Sequence, residues 1–433
     1  MREGNGHSGR SRKPSPRVSR LVSDQMGRRR YSIQALLERV EREFIEEYSG
    51  SDVLQQAETP TERLKLVRDT VNYVLSIESV QLGPDETADL IRQAYSSLFG
   101  YGPLDALFLD ADVTTIAIDG ADTLSVRRGH GDMEPAGVLF EDAQHLTRIV
   151  RRLLVDAGTD FSEDVPIIET GLAVGSRPVC LSLIAPPLTI NLNVDIRVHP
   201  AKPVTMSDLV SSGFLTEQAG EVLRVLAESS HGVVIVGDTE SGKTTLLNAF
   251  AYLLPDPGRC VAVERAGEMR LPDDMSGFSV RWPGPNTDAM TFGEQINAAL
   301  EREPACLLLD EVRADEPHTI APLLRDSPSP RQIWSFRGPF DAKRLRSALS
   351  MLARRSDVGQ GETLVQALYQ RLPFVVTVWR ARGQIGLYSI AEWQFRQSDY
   401  PDYVLLASLV DGELRLTGER PQRTLDLPGD FWS

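Results

Sequence analysis

Apolar residues recur at three- and four-residue intervals through SIQALLERVEREFIEEY and ADLIRQAYSSLF, so residues 31–100 are predicted to be helical. In VTTIAIDGADTLSVRRG the pattern becomes a strict alternation that turns near Asp119-Gly120, the mark of a β-hairpin. LTRIVRRLLVDAG is amphipathic with a glycine behind it, as in a helix and its stop. LAVGSRPVCLSLIAPP and INLNVDIRVHP read as further strands. This succession predicts a small α+β domain over residues 101–198, with Pro200 and Pro203 in a linker behind it.

From residue 199 to 433 the pattern changes again. MSDLVSSGF and the helical EQAGEVLRVLAES lead into short, unbroken apolar runs: GVVIVG, CVAVE, ACLLLDE and QIWSF. The helical patterns TTLLNAFAYLL and NAALE lie between them. Wholly apolar strands alternating with helices imply a parallel sheet covered on both faces. The C-terminal FVVTVWRARGQIGLYSI and YVLLASLVDGELRLTG read as hairpins, the second through Asp411-Gly412, forming an antiparallel appendage that closes the domain. The expected fold class is therefore α/β.

Composition adds constraints. The 433 residues suit two or three domains and carry a net charge of −15, unevenly spread. Residues 1–30 hold nine Lys/Arg against Glu3 and Asp24, a net of 9 − 2 = +7, so the remainder carries −15 − 7 = −22. An acidic body argues against nonspecific nucleic-acid binding. The basic, Gly/Ser/Pro-containing tail reads as disordered, either simply solvated or a weak tether to an anionic membrane surface or acidic partner. Cys180, Cys260 and Cys306 each sit in an apolar run, as core thiols rather than disulfide or metal ligands. No transmembrane run and no secretory signal are expected, which points to a cytoplasmic protein.

The chemistry concentrates in Gly237-Asp238-Thr239-Glu240-Ser241-Gly242-Lys243-Thr244-Thr245. It fits G-x-x-x-x-G-K-[ST] between an apolar strand and a helix. Successive N–H groups at a helix N-terminus point into one concavity, and the helix dipole favours anions there. Lys243 would reach terminal phosphates, and the Thr244 hydroxyl would ligate Mg²⁺, so ATP and Mg²⁺ are the expected cofactors. The acidic partner is expected at the end of ACLLLDE, where Asp310 and Glu311 follow an apolar strand.

This order of motifs resembles the type II/type IV secretion ATPase superfamily, with the Tad/Flp pilus assembly ATPases the nearest likeness, over roughly residues 80–400. LFGYGPLDALFLDADVTTIAIDGADTLSVRRG looks like that family's N-terminal domain, DLVSSGFLTEQAGEVLRVL like its linker, and NAALEREPACLLLDEVRADE like its Walker B segment. The resemblance implies a RecA-like ATPase domain after the N-terminal domain and a homohexameric ring. It also implies a cytoplasmic location at the inner face of the membrane, acting on an inner-membrane platform protein to export pilin or another substrate. It gives Glu311 the water-orienting role and places Glu264 in the Asp box. Arg302 matches the arginine before the Walker B strand, and Arg177 and Arg197 match N-terminal-domain arginines that approach phosphates.

Three positions depart from the family pattern. Glu240 stands where relatives carry glycine, and its carboxylate is expected to point to solvent. Arg265 replaces an acidic residue of the Asp box. Ser335 takes the place of one of two histidines, and His318 is an ordinary helix residue. Two readings follow: an active motor ATPase, or a nucleotide-binding ring subunit whose hydrolysis is impaired. A P-loop kinase or nucleic-acid motor is disfavoured by the acidic body.

Overall fold

The structure is a computed structural model that describes residues 21–23, 30–57, 59–284, 288–325, 328–357, 359–381, 383–396, 400–410 and 412–432. Most of the basic tail, including the region expected to be disordered, lies outside them. The chain forms two compact units, Met1–Asp105 and Ala106–Ser433.

In the first unit β1 (Leu21–Ser23) pairs antiparallel with β2 (Arg30–Ser32), ahead of helices Ile33–Tyr48, Asp52–Gln56, Pro60–Ile77 and Pro84–Phe99. Their starts are set by side chains. Ser32 and Ser51 accept backbone N–H groups, and Thr59 with Glu62 forms a capping box ahead of Pro60. Leu36, Val40 and Phe44 share a core with Val67, Val71, Val74, Leu90 and Ala94, the stripe that the helical period requires.

The second unit contains two sheets. The smaller has β3 (Val113–Asp119), β4 (Leu124–Arg128), β5 (Glu134–Pro135), β6 (Ile167–Val174), β7 (Arg177–Ile184) and β8 (Asn193–Val198), all paired antiparallel in the order β5-β4-β3-β8-β7-β6. One transverse row runs through it: Arg127, Thr115, Arg197, Cys180 and Gly171 stand opposite one another on β4, β3, β8, β7 and β6. Directly opposed residues of antiparallel strands share a face, so this row presents one continuous strip.

The larger sheet has β9 (Val233–Gly237), β10 (Cys260–Glu264), β11 (Ser276–Ser279), β12 (Cys306–Val312), β13 (Arg331–Arg337), β14 (Phe374–Ala381), β15 (Gln384–Gln394), β16 (Asp402–Val410) and β17 (Glu413–Leu416). Its order is β11-β10-β12-β13-β9-β14-β15-β16-β17. From β11 to β14 the strands are parallel, and β15 to β17 run antiparallel. Val233 and Ile235 of β9 enter one apolar core with Leu246, Leu247 and Phe250. Val234 and Val236 enter the opposite core with Trp334, Leu345 and Leu368. Both faces are thus covered, which is why β9 shows no polar alternation. Strand β9 is separated from β12 by β13.

The C-terminal hairpins form as expected and close the domain. β14 pairs parallel with β9 and antiparallel with β15, so the hairpins continue the same sheet. Strand β11 and the helices Ala342–Ser356 and Gly361–Arg371 were not foreseen from the sequence pattern. The three cysteines are free and buried.

Candidate functional site

The segment between β9 and the helix Lys243–Ala251 is folded tightly by its own residues. Gly242 caps the helix in the left-handed region at φ 93°, and Glu240 is also left-handed at φ 58°. A Cβ on Gly242 would meet the Phe214 ring at 2.9 Å, and one on Gly237 would meet the Val378 carbonyl oxygen at 2.7 Å. Glycine is therefore required at both ends of the loop. The Ser241 hydroxyl donates to the Asp238 carbonyl at 2.8 Å, and the Thr239 N–H donates to Asp238 Oδ1 at 2.8 Å.

Lys243 is buried, and its Nζ lies 2.8 Å from the Asp238 carbonyl oxygen and 3.0 Å from Glu311 Oε1. Glu311 is also 3.9 Å from Arg313 Nε, and Arg313 pairs with Glu169 of the smaller sheet at 2.7 Å. Asp310, one residue earlier, is buried and accepts from the Ser335 hydroxyl. Burial first, then the Glu268 charge, pushes Asp310 up to about 6, against the hydrogen bonds of Ser335 and Thr244. Glu264 lies opposite Asp310 on β10 and accepts the Met269 N–H at 2.9 Å. Burial is the main cause that carries Glu264 to about 8, reinforced by Asp310 and Glu268. Glu268 goes the other way. Burial alone would raise it, but Arg197 at 2.9 Å and His199 at 3.3 Å hold it down to about 2.

These donors and acceptors fit a nucleotide's phosphates and a hard divalent cation. Backbone N–H groups and Lys243 would hold phosphate oxygens, and the Thr244 hydroxyl beside Asp310 would ligate the cation. Parallel strands bring Lys243, Thr244, Asp310, Glu311 and Glu264 to one edge, the carboxyl ends of β9, β10 and β12.

Other expected residues lie elsewhere. Arg302 precedes β12 and sits at the amino end of the sheet, where it bonds Ser276 at 3.1 Å and covers the Phe278 ring. A parallel sheet puts that end opposite the P-loop, so Arg302 does not meet its own cradle. Arg177 is occupied by carbonyl oxygens of His199, Phe108, Asp110 and Val113, which tie the smaller sheet's edge together. Arg197 does face the larger domain, but its nearest carboxylate is Glu268. Glu240 does not point to solvent: it meets Arg127 and Arg380, each at 2.5 Å, and Thr115 at 3.3 Å. Arg265 donates to the Glu311 carbonyl at 2.8 Å and to Glu316 at 2.9 Å, and stacks on Phe292. Ser335 is buried against Asp310.

Sequence reasoning missed Arg127, Arg380, Glu268 and Arg313 as neighbours of the site. The available signal was weak. Arg127 falls on one face of an alternating strand and Arg380 lies next to the end of a mostly apolar one, and only tertiary pairing shows what either faces.

Residues 119–323 match the type II/IV secretion system protein family. Over that segment the chain is similar to that family. The chain is 25% identical over 243 residues to the uncharacterised protein MJ0900 of Methanocaldococcus jannaschii. That match spans 55% of this chain and 43% of the relative, less than half its length. It is 23% identical over 331 residues to the type IV secretion system protein VirB11 of Brucella suis, spanning 70% of this chain and 89% of that one. The solved ATPase DotB of Legionella pneumophila aligns at 15% identity with a TM-score of 0.47, over 68% of this chain and 80% of DotB.

Proposed function

We propose that this chain is an ATP-hydrolysing motor subunit of a type II/type IV secretion or Tad/Flp-type pilus assembly machine. One observation carries the reading. Lys243 Nζ sits between the Asp238 carbonyl and Glu311 Oε1, with Thr244 beside Asp310, so the P-loop and the acidic strand end share one locus. ATP supplies the transferable phosphoryl group, and Mg²⁺ neutralises its charge. Lys243 binds terminal phosphate oxygens, Thr244 holds the cation, and Glu311 orients the attacking water. Burial raises Glu264 to about 8, and its Oε2 accepts the Met269 N–H at 2.9 Å. Arg197 and Arg313 link these carboxylates to the smaller sheet, so a change at Glu311 is felt there through Arg313 and Glu169. The secretion-protein names of the relatives support a part in a secretion machine; the resemblance in the sequence extends the reading to a homohexamer at the inner face of the cell membrane, acting on a platform protein to export pilin or another substrate.

Phosphate release by purified protein with MgATP tests this. Wild type should turn over. Lys243→Ala should lose nucleotide binding, and Glu311→Gln should bind yet lose about 10²-fold or more of the rate. Equal affinity of wild type and Lys243→Ala would remove the P-loop from the function. Binding by the wild type without phosphate release would leave a subunit that holds ATP without hydrolysing it.

A further inference from the structure

Glu240 lies in the middle of the phosphate loop, yet every contact it makes leads away from that loop's own strand. Its Oε1 accepts from the Thr115 hydroxyl at 3.3 Å. Its Oε2 accepts from Arg127 Nη1 and from Arg380 Nη1, both at 2.5 Å. Thr115 and Arg127 belong to the transverse row of the smaller sheet, and Arg380 to β14, the strand beside β9. One carboxylate therefore holds two guanidiniums from two sheets against the cradle. All three side chains are largely buried, at 26%, 15% and 20% exposure for Glu240, Arg127 and Arg380. Such pairs are stronger than surface ion pairs and more specific in geometry.

The acceptor set is incomplete. Arg127 Nε is buried and has no hydrogen-bond partner among the described residues. A buried guanidinium N–H without an acceptor is costly, and a second anionic oxygen is what it lacks. His130 lies close enough to both arginines that burial, then Arg380 and Arg127, depress its pKa.

We propose that Glu240 is an internal counter-anion of the phosphate loop: it holds Arg127 and Arg380 at the cradle, and a polyphosphate ligand binds by taking these guanidiniums from it. The proposal rests on the nucleotide-site reading above. It gives Arg127 and Arg380 a role as phosphate-binding residues and makes Glu240 the residue that sets how much phosphate charge is needed to bind. Two anions then compete for the same donors. A ligand with several phosphate charges satisfies both guanidiniums and Arg127 Nε, whereas one with a single phosphate does not. Displacing Glu240 also releases its tie to Thr115, so binding is sensed directly by β3 and β4 of the smaller sheet.

The test measures affinity by calorimetry for Mg²⁺ with the non-hydrolysable triphosphate AMP-PNP, and separately for inorganic tripolyphosphate, at fixed low salt. Glu240→Gln keeps size and removes the charge. It should bind both ligands about tenfold more tightly than wild type. Arg127→Ala and Arg380→Ala should each weaken binding. In the doubly arginine-deleted background, Glu240→Gln should change affinity by less than about twofold, because the competition is gone. Equal or weaker binding by Glu240→Gln, an undiminished gain in that background, or no binding of tripolyphosphate by either protein overturns the proposal. If tripolyphosphate follows the expected pattern while AMP-PNP binding survives Lys243→Ala, the counter-anion stands and the ATP-site reading fails. Melting temperatures of all variants, measured alongside, separate loss of binding from loss of fold.

Discussion

At the scale of single residues, Glu264 shows how burial sets chemistry. Its carboxyl is almost wholly enclosed between Asp310 and Glu268, and its pKa rises from 4.5 to about 8. The folded protein therefore keeps a proton that the unfolded chain releases above about pH 4.5. The stability tied to that proton is complete below this value and is lost as pH rises toward 8. Glu264→Gln keeps the oxygen that accepts the Met269 N–H and has no proton to lose. Between pH 5.5 and 8.5, its melting temperature should fall by several degrees less than that of wild type. Parallel melting curves for the two proteins would refute the assignment. The Glu268 contribution runs in the opposite sense, since its pKa is lowered to about 2: it is complete above about pH 4.5 and is lost as pH falls toward 2. Burial of this kind is not written locally: CVAVERAGEMRL shows that Glu264 ends a strand, but not that two further carboxyls crowd it.

Among the elements, the glycine-bounded loop between β9 and the helix Lys243–Ala251 was the most legible, because its geometry depends on residues adjacent in sequence. Gly242 must be left-handed and must pass close to Phe214. Gly242→Ala adds a Cβ in both disallowed respects and should cost about 1–3 kcal/mol, seen as a lower melting temperature together with lost nucleotide binding. Unchanged melting would show that the loop can relax. The helix Ala342–Ser356 is a contrasting case. Its signals were present: Asp341 accepts the Arg344 N–H as N-cap, and Leu345, Leu349 and Leu352 recur on the buried face. They went unread because the preceding DSPSPRQIWSFRGPF is rich in turn formers and carries no helical period. Asp341→Ala should destabilise by about 1 kcal/mol, measurable by denaturant unfolding. Strand β11, SGFS, had no apolar period at all and exists because the edge of β10 offers it hydrogen bonds.

Across the whole second unit, two sheets meet at the strip that begins with Arg127 and ends with Gly171. Arg127 reaches Glu240, Arg197 reaches Glu268, Glu169 receives Arg313, and Gly171 lies against the Ala266 carbonyl. A Cβ on Gly171 would collide with that carbonyl, and its carbon would lie 2.7 Å away. Gly171→Ala should therefore push the sheets apart, lowering the melting temperature and speeding hydrogen exchange in β6 and β7 as well as in residues 264–270. Exchange confined to β6 would show that the contact is local. The interface is unusually charged for a buried one, and each pair depends on its partner to offset desolvation.

Short-range order was determined by the sequence itself. The helical and alternating periods, the glycines of the phosphate loop, the apolar run ahead of Glu311 and the acidic body follow from covalent geometry and local solvation, which neighbouring residues settle among themselves. Arg127 and Glu240 lie 113 residues apart, and Arg380 is 140 residues from Glu240. Their meeting, the diversion of Arg177 and Arg302 to other work and the protonation of Glu264 depend on strand order and on how closely two sheets approach. Electrostatic energies change steeply with distance and burial. Only the tertiary structure sets those quantities, and so only it decided that the charge inside the phosphate loop faces two arginines instead of water.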